Sequence, residues 1–314
     1  MNEKANGCVL SICIPTRNRS DRLARCVETL TNLRIFRESS EIELVISDNA
    51  STDDTGEVCS RFSARWPNRI KYFRNQGNEG DMNFYLAMAR GAGEFLKLSN
   101  DTLLFSDDGL SAILHAVKEN INERPLLFFT NGNGTSREMC KKCKTMDEFL
   151  LEASFYSTWI GSVGFWKDQL LRLPDFARKR ASQLTQVDAI FRTLAYHPYS
   201  VVYNCVFADV MSVKNKGGYS LSLVFGRNYF SILKEYVVKG LLSRETYRRE
   251  RRVMLRRHLL PYFIKTNSEF LGFGYVRNLF VYYAFDPIYY LAMPFVYVQT
   301  FYKLARKLVA KGLL

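Results

Sequence analysis

Short apolar runs alternate with segments whose apolar side chains recur every three to four positions along the first hundred residues, and few folds satisfy that alternation. Val9 to Ile14 is almost unbroken apolar sequence closed by Pro15, as in a strand covered on both faces. From Ser20, read as an N-cap, Leu23, Cys26, Val27 and Leu30 repeat at helical spacing. The unit then recurs. Ile42 to Ser47 reads as strand, Ser51-Thr52-Asp53-Asp54 opens a helix with Val58 and Phe62 inward, Ile70 to Phe73 is strand, Met82 to Arg90 helix and Glu94 to Leu98 strand. Short connections between such units imply right-handed crossovers and an α/β, doubly wound, mostly parallel sheet. Ligands of that architecture bind beyond the C-terminal strand ends, here Pro15 to Arg19, Asp48 to Thr52, Gly77 to Asp81 and Ser99 to Asp101.

Later segments are less regular. Leu126 to Thr130 reads as a buried strand, Asn131 to Gly134 as a flexible turn, Thr145-x-x-Glu148 as a capping box, and Trp159 to Trp166 as mixed structure in which Gly161 and Gly164 allow close backbone approach. Gln186 to Tyr196 is a helix with Asp188 near its first turn. A chain of 314 residues buries one core and appends a smaller unit, and 47% hydrophobic residues exclude wholesale disorder. Seven scattered cysteines and no secretory signal point to reduced thiols. Cys140-x-x-Cys143 lacks a second ligand pair and reads as loop rather than zinc site.

The strand-end residues suggest a chemistry. Asp48 and Asn49 offer a carboxylate and an amide that can hydrogen-bond a nucleobase, with Pro15, Thr16, Arg17 and Asn18 as a polar turn nearby. The alternative is that Asp48 and Asn49 only bond their own backbone. After the next strand, Ser99-Asn100-Asp101 puts a carboxylate in the same cleft, suited to a hard divalent cation such as Mg²⁺ or Mn²⁺. Ser106-Asp107-Asp108 is the other candidate, although acids at a helix start complement its dipole.

Taken in order, Ser11-Ile-Cys-Ile-Pro-Thr-Arg-Asn18, Val45-Ile-Ser-Asp-Asn-Ala-Ser-Thr-Asp53, Asn78-Glu-Gly80, Asn83 and Leu98-Ser-Asn-Asp101 resemble the family 2 glycosyltransferases of GT-A fold, in particular the abequosyltransferase-like bacterial enzymes of surface-polysaccharide assembly. The resemblance covers roughly residues 9 to 115. It implies a nucleotide-sugar-dependent catalytic domain over 1–225, with Pro15 and Thr16 beside base and ribose and Asp48 on the base. Arg17, Asn18, Asn49, Ser51, Ser99 and Asn100 would border the donor, Asn78 and Asp81 would line its pocket, and Asp101 would be the retained ligand of a divalent cation, Mn or Mg. The family usually carries an Asp-x-Asp or Ser-Asp-Asp run where this chain has Ser99-Asn100-Asp101, which weakens the expected metal site. It also places a catalytic carboxylate late in the domain, commonly in a Glu-Asp pair. Gln186-Val187-Asp188 is the nearest match, so Asp188 is the expected base, taking the acceptor's proton as its oxygen attacks the anomeric carbon with inversion.

Residues 226–314 have a different character. Arg244, Arg248, Arg249, Arg251, Arg252, Arg256 and Arg257 crowd around Val253, Leu255, Leu259 and Leu260, followed by an aromatic stretch from Phe270 to Tyr302 and the basic cap Lys303, Arg306, Lys307 and Lys311. The net charge of +13 thus concentrates where an anionic membrane surface can meet it. Leu279 to Val298 is long enough to test as a membrane span, but Asp286, Pro287 and Pro294 favour helices lying in the interface. The expectation is a peripheral protein on the cytoplasmic face of the inner membrane, with a nucleoside-diphosphate sugar donor and a lipid-linked saccharide acceptor; packing of this region on the catalytic domain, or into a homo-oligomer contact, is the other reading. Two alternatives fit less well. A sugar nucleotidyltransferase wants a glycine- and lysine-rich loop where Pro15-Thr16-Arg17-Asn18 stands, and a nucleic-acid-binding protein would leave the strand-end motifs without a use, so no nucleic-acid partner is expected.

Overall fold

The structure is a computed structural model that describes residues 7–136, 138–173, 175–212, 220–261, 274–287 and 289–291, with single positions at 294, 298, 301, 302, 305 and 309. The basic cap Lys303, Arg306, Lys307 and Lys311 and the start of the aromatic stretch at Phe270 lie outside the described residues. The chain divides into two compact units, Met1–Lys214 and Asn215–Leu314.

The strands of the first unit are β1 (Leu10–Thr16), β2 (Ile42–Asp48), β3 (Ile70–Arg74), β4 (Phe95–Leu98), β5 (Leu103–Phe105), β6 (Leu126–Phe129), β7 (Cys140–Cys143), β8 (Gly164–Trp166), β9 (Ser200–Tyr203) and β10 (Ala208–Val210). Its helices are α1 (Ser20–Asn32), α2 (Arg34–Glu38), α3 (Thr55–Arg65), α4 (Met82–Ala89), α5 (Asp107–Glu119), α6 (Met146–Ala153), α7 (Lys167–Leu171) and α8 (Thr185–Tyr196). The main sheet has the order β3-β2-β1-β4-β8, parallel except where β8 meets β4. Two smaller sheets, β10-β5 and β6-β9-β7, stand beside it, so the fold is mixed α/β with a parallel-dominated sheet.

Both faces of that sheet are covered, and β1 shows how. Leu10, Ile12 and Ile14 sit in one apolar cluster with Leu23 and Val27 of α1 and Phe62 of α3. Each of the three β1 residues is fully buried, contributing about 1.5–3 kcal/mol relative to exposure. The alternate residue Ser11 points the other way, donating to Glu43 at 2.6 Å and accepting the Gly93 N–H at 2.9 Å. Pro15 is tolerated within a central strand because pairing with β4 ends at Cys13, so β1 has only β2 as a neighbour there.

Two local expectations change. Ser20 is the first residue of α1 rather than its cap; the Ser20 N–H is taken by the Asp53 carboxylate at 3.1 Å, so the cap comes from a different loop. Cys140 and Cys143 lie in strand β7 rather than a loop, with Cys140 exposed and Cys143 buried, and so do not share a face. Asp107 and Asp108 lie in the first turn of α5; Asp107 also accepts the Ile35 N–H at 2.9 Å at the start of α2, while Ser106 caps α5 through the Gly109 N–H at 3.1 Å. Gly164 behaves as expected, since a Cβ there would stand 2.4 Å from the Phe95 ring.

The second unit is helical. A π-helical segment at Ser222–Asn228 leads into α9 (Tyr229–Val238); α10 (Arg244–Val253) runs into a second π-helical segment at Met254–Leu259, and α11 (Gly274–Tyr283) follows. Tyr229, Phe230, Tyr236, Met254, Leu255, Leu259 and Tyr283 are buried. The charged helix α10 is therefore amphipathic, with Thr246 and Glu250 inward and most of its arginines outward. Among the described residues no helix is long and apolar enough to cross a membrane.

Candidate functional site

Parallel strands end on the same side, so the segments after β1, β2, β3 and β4 converge at one edge of the main sheet. They are tied together by side chains as well as by position. The buried Thr16 accepts the Asn49 N–H at its carbonyl, 2.9 Å away, and donates its hydroxyl to Asp101 Oδ2 at 2.9 Å. Asn18 holds a left-handed φ of 51° while its N–H reaches Ser51 Oγ at 2.9 Å and its Oδ1 accepts the Thr52 N–H at 2.7 Å. Pro15 is half-buried in this turn and Arg17 is exposed.

Asp48 is fully buried at the end of β2. Its Oδ1 accepts the Ser51 N–H at 2.9 Å, and its Oδ2 accepts the Tyr72 hydroxyl at 3.0 Å and Arg74 at 3.3 Å. The turn bond and the outward bonds thus coexist on one carboxylate. Burial, then the Asp48 charge and its hydrogen bond, push the Tyr72 phenol up to about 12.

Asn49 uses its amide on the third loop. Its Oδ1 accepts the Glu79 N–H at 2.7 Å and Asn75 Nδ2 at 3.1 Å, and its Nδ2 donates to Asn78 Oδ1 at 2.8 Å. Below it, Asn75, Asn83, Ser47 and Arg90 form a buried polar network with bonds of 2.6–2.9 Å. Gly80, at φ 55°, passes so close to Arg180 that a Cβ would stand 2.9 Å from its guanidinium. The next residue, Asp81, has a buried Oδ2 with no partner. Burial pushes its carboxyl up, opposed in part by the Arg180 charge. An acceptor atom held dry and unsatisfied is a place for a ligand hydroxyl.

At the end of β4, Ser99 is buried, Asn100 half-buried and Asp101 1% exposed. Asp101 Oδ1 pairs with Arg19 at 2.9 Å, so each carboxylate oxygen has one partner. Every side-chain donor in the Ser99-Asn100-Asp101 turn is oxygen or amide, which fits a hard divalent cation that takes a single protein carboxylate and leaves its other positions to phosphate and water. Among the described residues no group of three His, Cys, Asp or Glu forms a closed metal cage. Arg19 is about half exposed and free to withdraw into solvent when a cation approaches.

Asp188 is fully buried in the first turn of α8. Arg178 grips both its oxygens, Nε to Oδ2 at 2.7 Å and Nη2 to Oδ1 at 2.5 Å, and Arg192 Nε lies 3.3 Å from Oδ2. Asp168, in α7, is paired with Arg124 at 2.9 Å.

The pairing of Arg19 with Asp101 and the approach of Arg180 to Gly80 are what the sequence did not reveal. Arg19 occupies the cap position assigned to Ser20, and periodicity does not distinguish the two. Arg180 lies a hundred residues from Gly80 in sequence, and no local pattern connects them.

The model of the family described as "Glycosyl transferase family 2" matches residues 11–122. Abequosyltransferase RfbV of Salmonella typhimurium is 32% identical over 106 residues, 33% of this chain and 31% of that protein. The GalNAc(5)-diNAcBac-PP-undecaprenol beta-1,3-glucosyltransferase of Campylobacter jejuni is 32% identical over 118 residues, 36% of this chain and 35% of that protein. The matched stretch spans about a third of the length of these relatives. In fold, the chain is similar to S. aureus TarS 1–349 in complex with UDP, with TM-score 0.61 and 13% identity over 97% of this chain and 92% of that one. It is also similar to the mannosyltransferase PcManGT of Pyrobaculum calidifontis in complex with GDP-Man and Mn²⁺, with TM-score 0.56 and 12% identity over 94% and 86% of the two chains.

Proposed function

With residues 11–122 matching the model of glycosyl transferase family 2, we propose that the chain moves a sugar from a nucleoside-diphosphate donor to an acceptor hydroxyl in bacterial surface-glycan assembly. The observation that carries this reading is the convergence of the Pro15, Asp48, Asn75 and Ser99 loops at one sheet edge, cross-linked by the Thr16–Asp101, Asn18–Ser51 and Asn49–Asn78 bonds. A polar cleft of that form suits a nucleotide on the Asp48 side and its diphosphate toward Asp101.

A divalent cation bound at Asp101 would supply positive charge to the leaving diphosphate. Arg19, already on that carboxylate, stands where it can face the same phosphates. Asp81, with its unfilled acceptor atom, takes a donor hydroxyl. The acceptor oxygen attacks the anomeric carbon as the bond to the diphosphate breaks, giving inversion, and Asp188 receives the acceptor's proton. For that, one of its Arg178 contacts must open, which the one-third exposure of the Arg178 side chain permits.

The Campylobacter relative's name gives an undecaprenol diphosphate-linked saccharide, and we carry that acceptor class over. A lipid-linked acceptor and the basic second unit together support a peripheral place on the cytoplasmic face of the inner membrane.

Two measurements test the reading. Thermal shift with a panel of nucleoside diphosphates, with and without Mn²⁺, should single out one base. Asp188→Asn should lower transfer by roughly 10²–10⁴-fold while leaving nucleotide affinity by calorimetry unchanged. Near-normal turnover in that variant removes Asp188 as the base.

A further inference from the structure

Helix α10 carries Arg244, Arg248 and Arg252 at i, i+4 and i+8, which sets three guanidiniums along one face. That face lines a groove of about 630 Å³, together with Lys234 from α9, Arg251, and Tyr282, Phe285 and Asp286 at and beyond the end of α11. Five cations therefore meet one carboxylate. Asp286 engages Arg252 at 3.7 Å. Arg251 is held within the unit, donating to the Tyr282 carbonyl and lying 5.5 Å and 4.9 Å from the Phe230 and Tyr283 ring centres. Lys234, Arg244 and Arg248 are exposed and make no ion pair among the described residues.

Like charges around one concavity repel, and an anion seated among them turns that repulsion into attraction. Guanidiniums present paired N–H donors that match phosphate oxygens two at a time. The border is aromatic: Phe285 is fully exposed and Tyr282 half-buried, so carbon attached to the anion also has a surface to lie on. We propose that this groove is a binding site for a phosphate monoester or diphosphate group carried on an organic chain. It sharpens the anionic-surface reading of the second unit to a discrete site. It stands on this unit's residues alone, and because its test reads binding, failure of the transferase reading leaves it in place.

The test uses the full chain and two probes, inorganic pyrophosphate by calorimetry and flotation with phosphatidylcholine vesicles with or without phosphatidic acid. Arg244→Ala/Arg248→Ala should weaken pyrophosphate binding by about tenfold or more, since it removes two charge-assisted forks. Arg249→Ala, an exposed change on the same helix but outside the groove, should alter it by less than about twofold. All of these side chains are exposed, and equal unfolding temperatures establish that the variants fold. Phosphatidic acid vesicles captured in the same variant pattern support the groove and assign the group to a lipid. Pyrophosphate binding without vesicle capture supports it with a soluble ligand. Equal losses in the Arg249→Ala chain, no pyrophosphate binding, or binding of a short RNA in its place overturn the proposal. Flotation that persists in Arg244→Ala/Arg248→Ala leaves the surface reading standing and removes the groove.

Discussion

The strand-end loops and the basic groove of the second unit are both polar, yet they manage charge in opposite ways. In the loops nearly every polar side chain already has a partner in the protein: Asp48 holds Ser51, Tyr72 and Arg74, Asn49 holds Asn75, Asn78 and Glu79, and Asp101 holds Thr16 and Arg19. In the groove, Lys234, Arg244 and Arg248 make no ion pair among the described residues. The first arrangement fixes the shape of a site before a ligand arrives, which lowers the ordering cost of binding. The second leaves charge available to whichever anion fits. The unsatisfied Asp81 oxygen is the exception within the loops, and for that reason it is the atom there to look at for a ligand contact.

Removing the joint that makes the loops rigid should have the largest effect on this contrast. Asn49→Ala deletes bonds to Asn75, Asn78 and Glu79 at a position only 6% exposed and leaves the Glu79 N–H without its acceptor. We expect a loss of about 2–3 kcal/mol in stability by urea unfolding, and a nucleotide affinity that falls further than stability alone explains. An unchanged affinity would mean that the 75–81 loop is not part of the donor site.

A cation without a carboxylate partner also occurs inside the first unit. Lys97 is fully buried on β4, donating to the Leu98 and Gly161 carbonyls at 3.0 Å and 2.5 Å beside the Phe129 and Phe207 rings. Burial lowers its pKa to about 7. Between about pH 7 and the ordinary lysine value near 10.4, the unfolded chain then binds more protons than the folded one, so the stability of the native chain rises with pH across that window and is flat below it as far as Lys97 is concerned. Relative to Lys97→Met, the native chain should gain up to roughly 1.4 kcal/mol per pH unit there. Parallel stability curves for the two proteins would show that water reaches this amine.

The main sheet was legible because burial on both faces writes itself into sequence as unbroken apolar runs, and the strands expected at 42–47, 70–73 and 94–98 are β2, β3 and β4 to within a residue at each end. The family resemblance rested on the loops that follow them. What escaped was long-range polar pairing. The Arg178 fork on Asp188 depends on how residues 175–183 fold back, and nothing in Gln186-Val187-Asp188 signals it. Arg180 beside Gly80 is hidden for the same reason. Charge in the second unit was visible as composition, but its gathering into a groove requires the end of α11 to lie opposite α10.

The smallest effect should come from the cap that joins two of the loops. Asp53 is exposed, with Oδ2 on the Ser20 N–H at 3.1 Å and Oδ1 on the Thr55 hydroxyl and N–H at 2.5 Å and 3.1 Å. What burial it has raises its pKa, but the bonds from Thr55 and Ser20 outweigh this and hold the carboxyl below the ordinary value of 3.8. A depressed carboxyl pKa stabilises the fold above the unfolded value and loses that contribution as pH falls through the folded one. Asp53→Asn should therefore cost about 0.5–1 kcal/mol near neutral pH, through loss of a charged partner at the start of α1 and α3. The urea midpoints of the two proteins should converge as pH drops below about 4. A gap that stays constant down to pH 2 would mean that the amide's geometry, and not the missing charge, accounts for the difference, and that the loops are joined by shape more than by electrostatics.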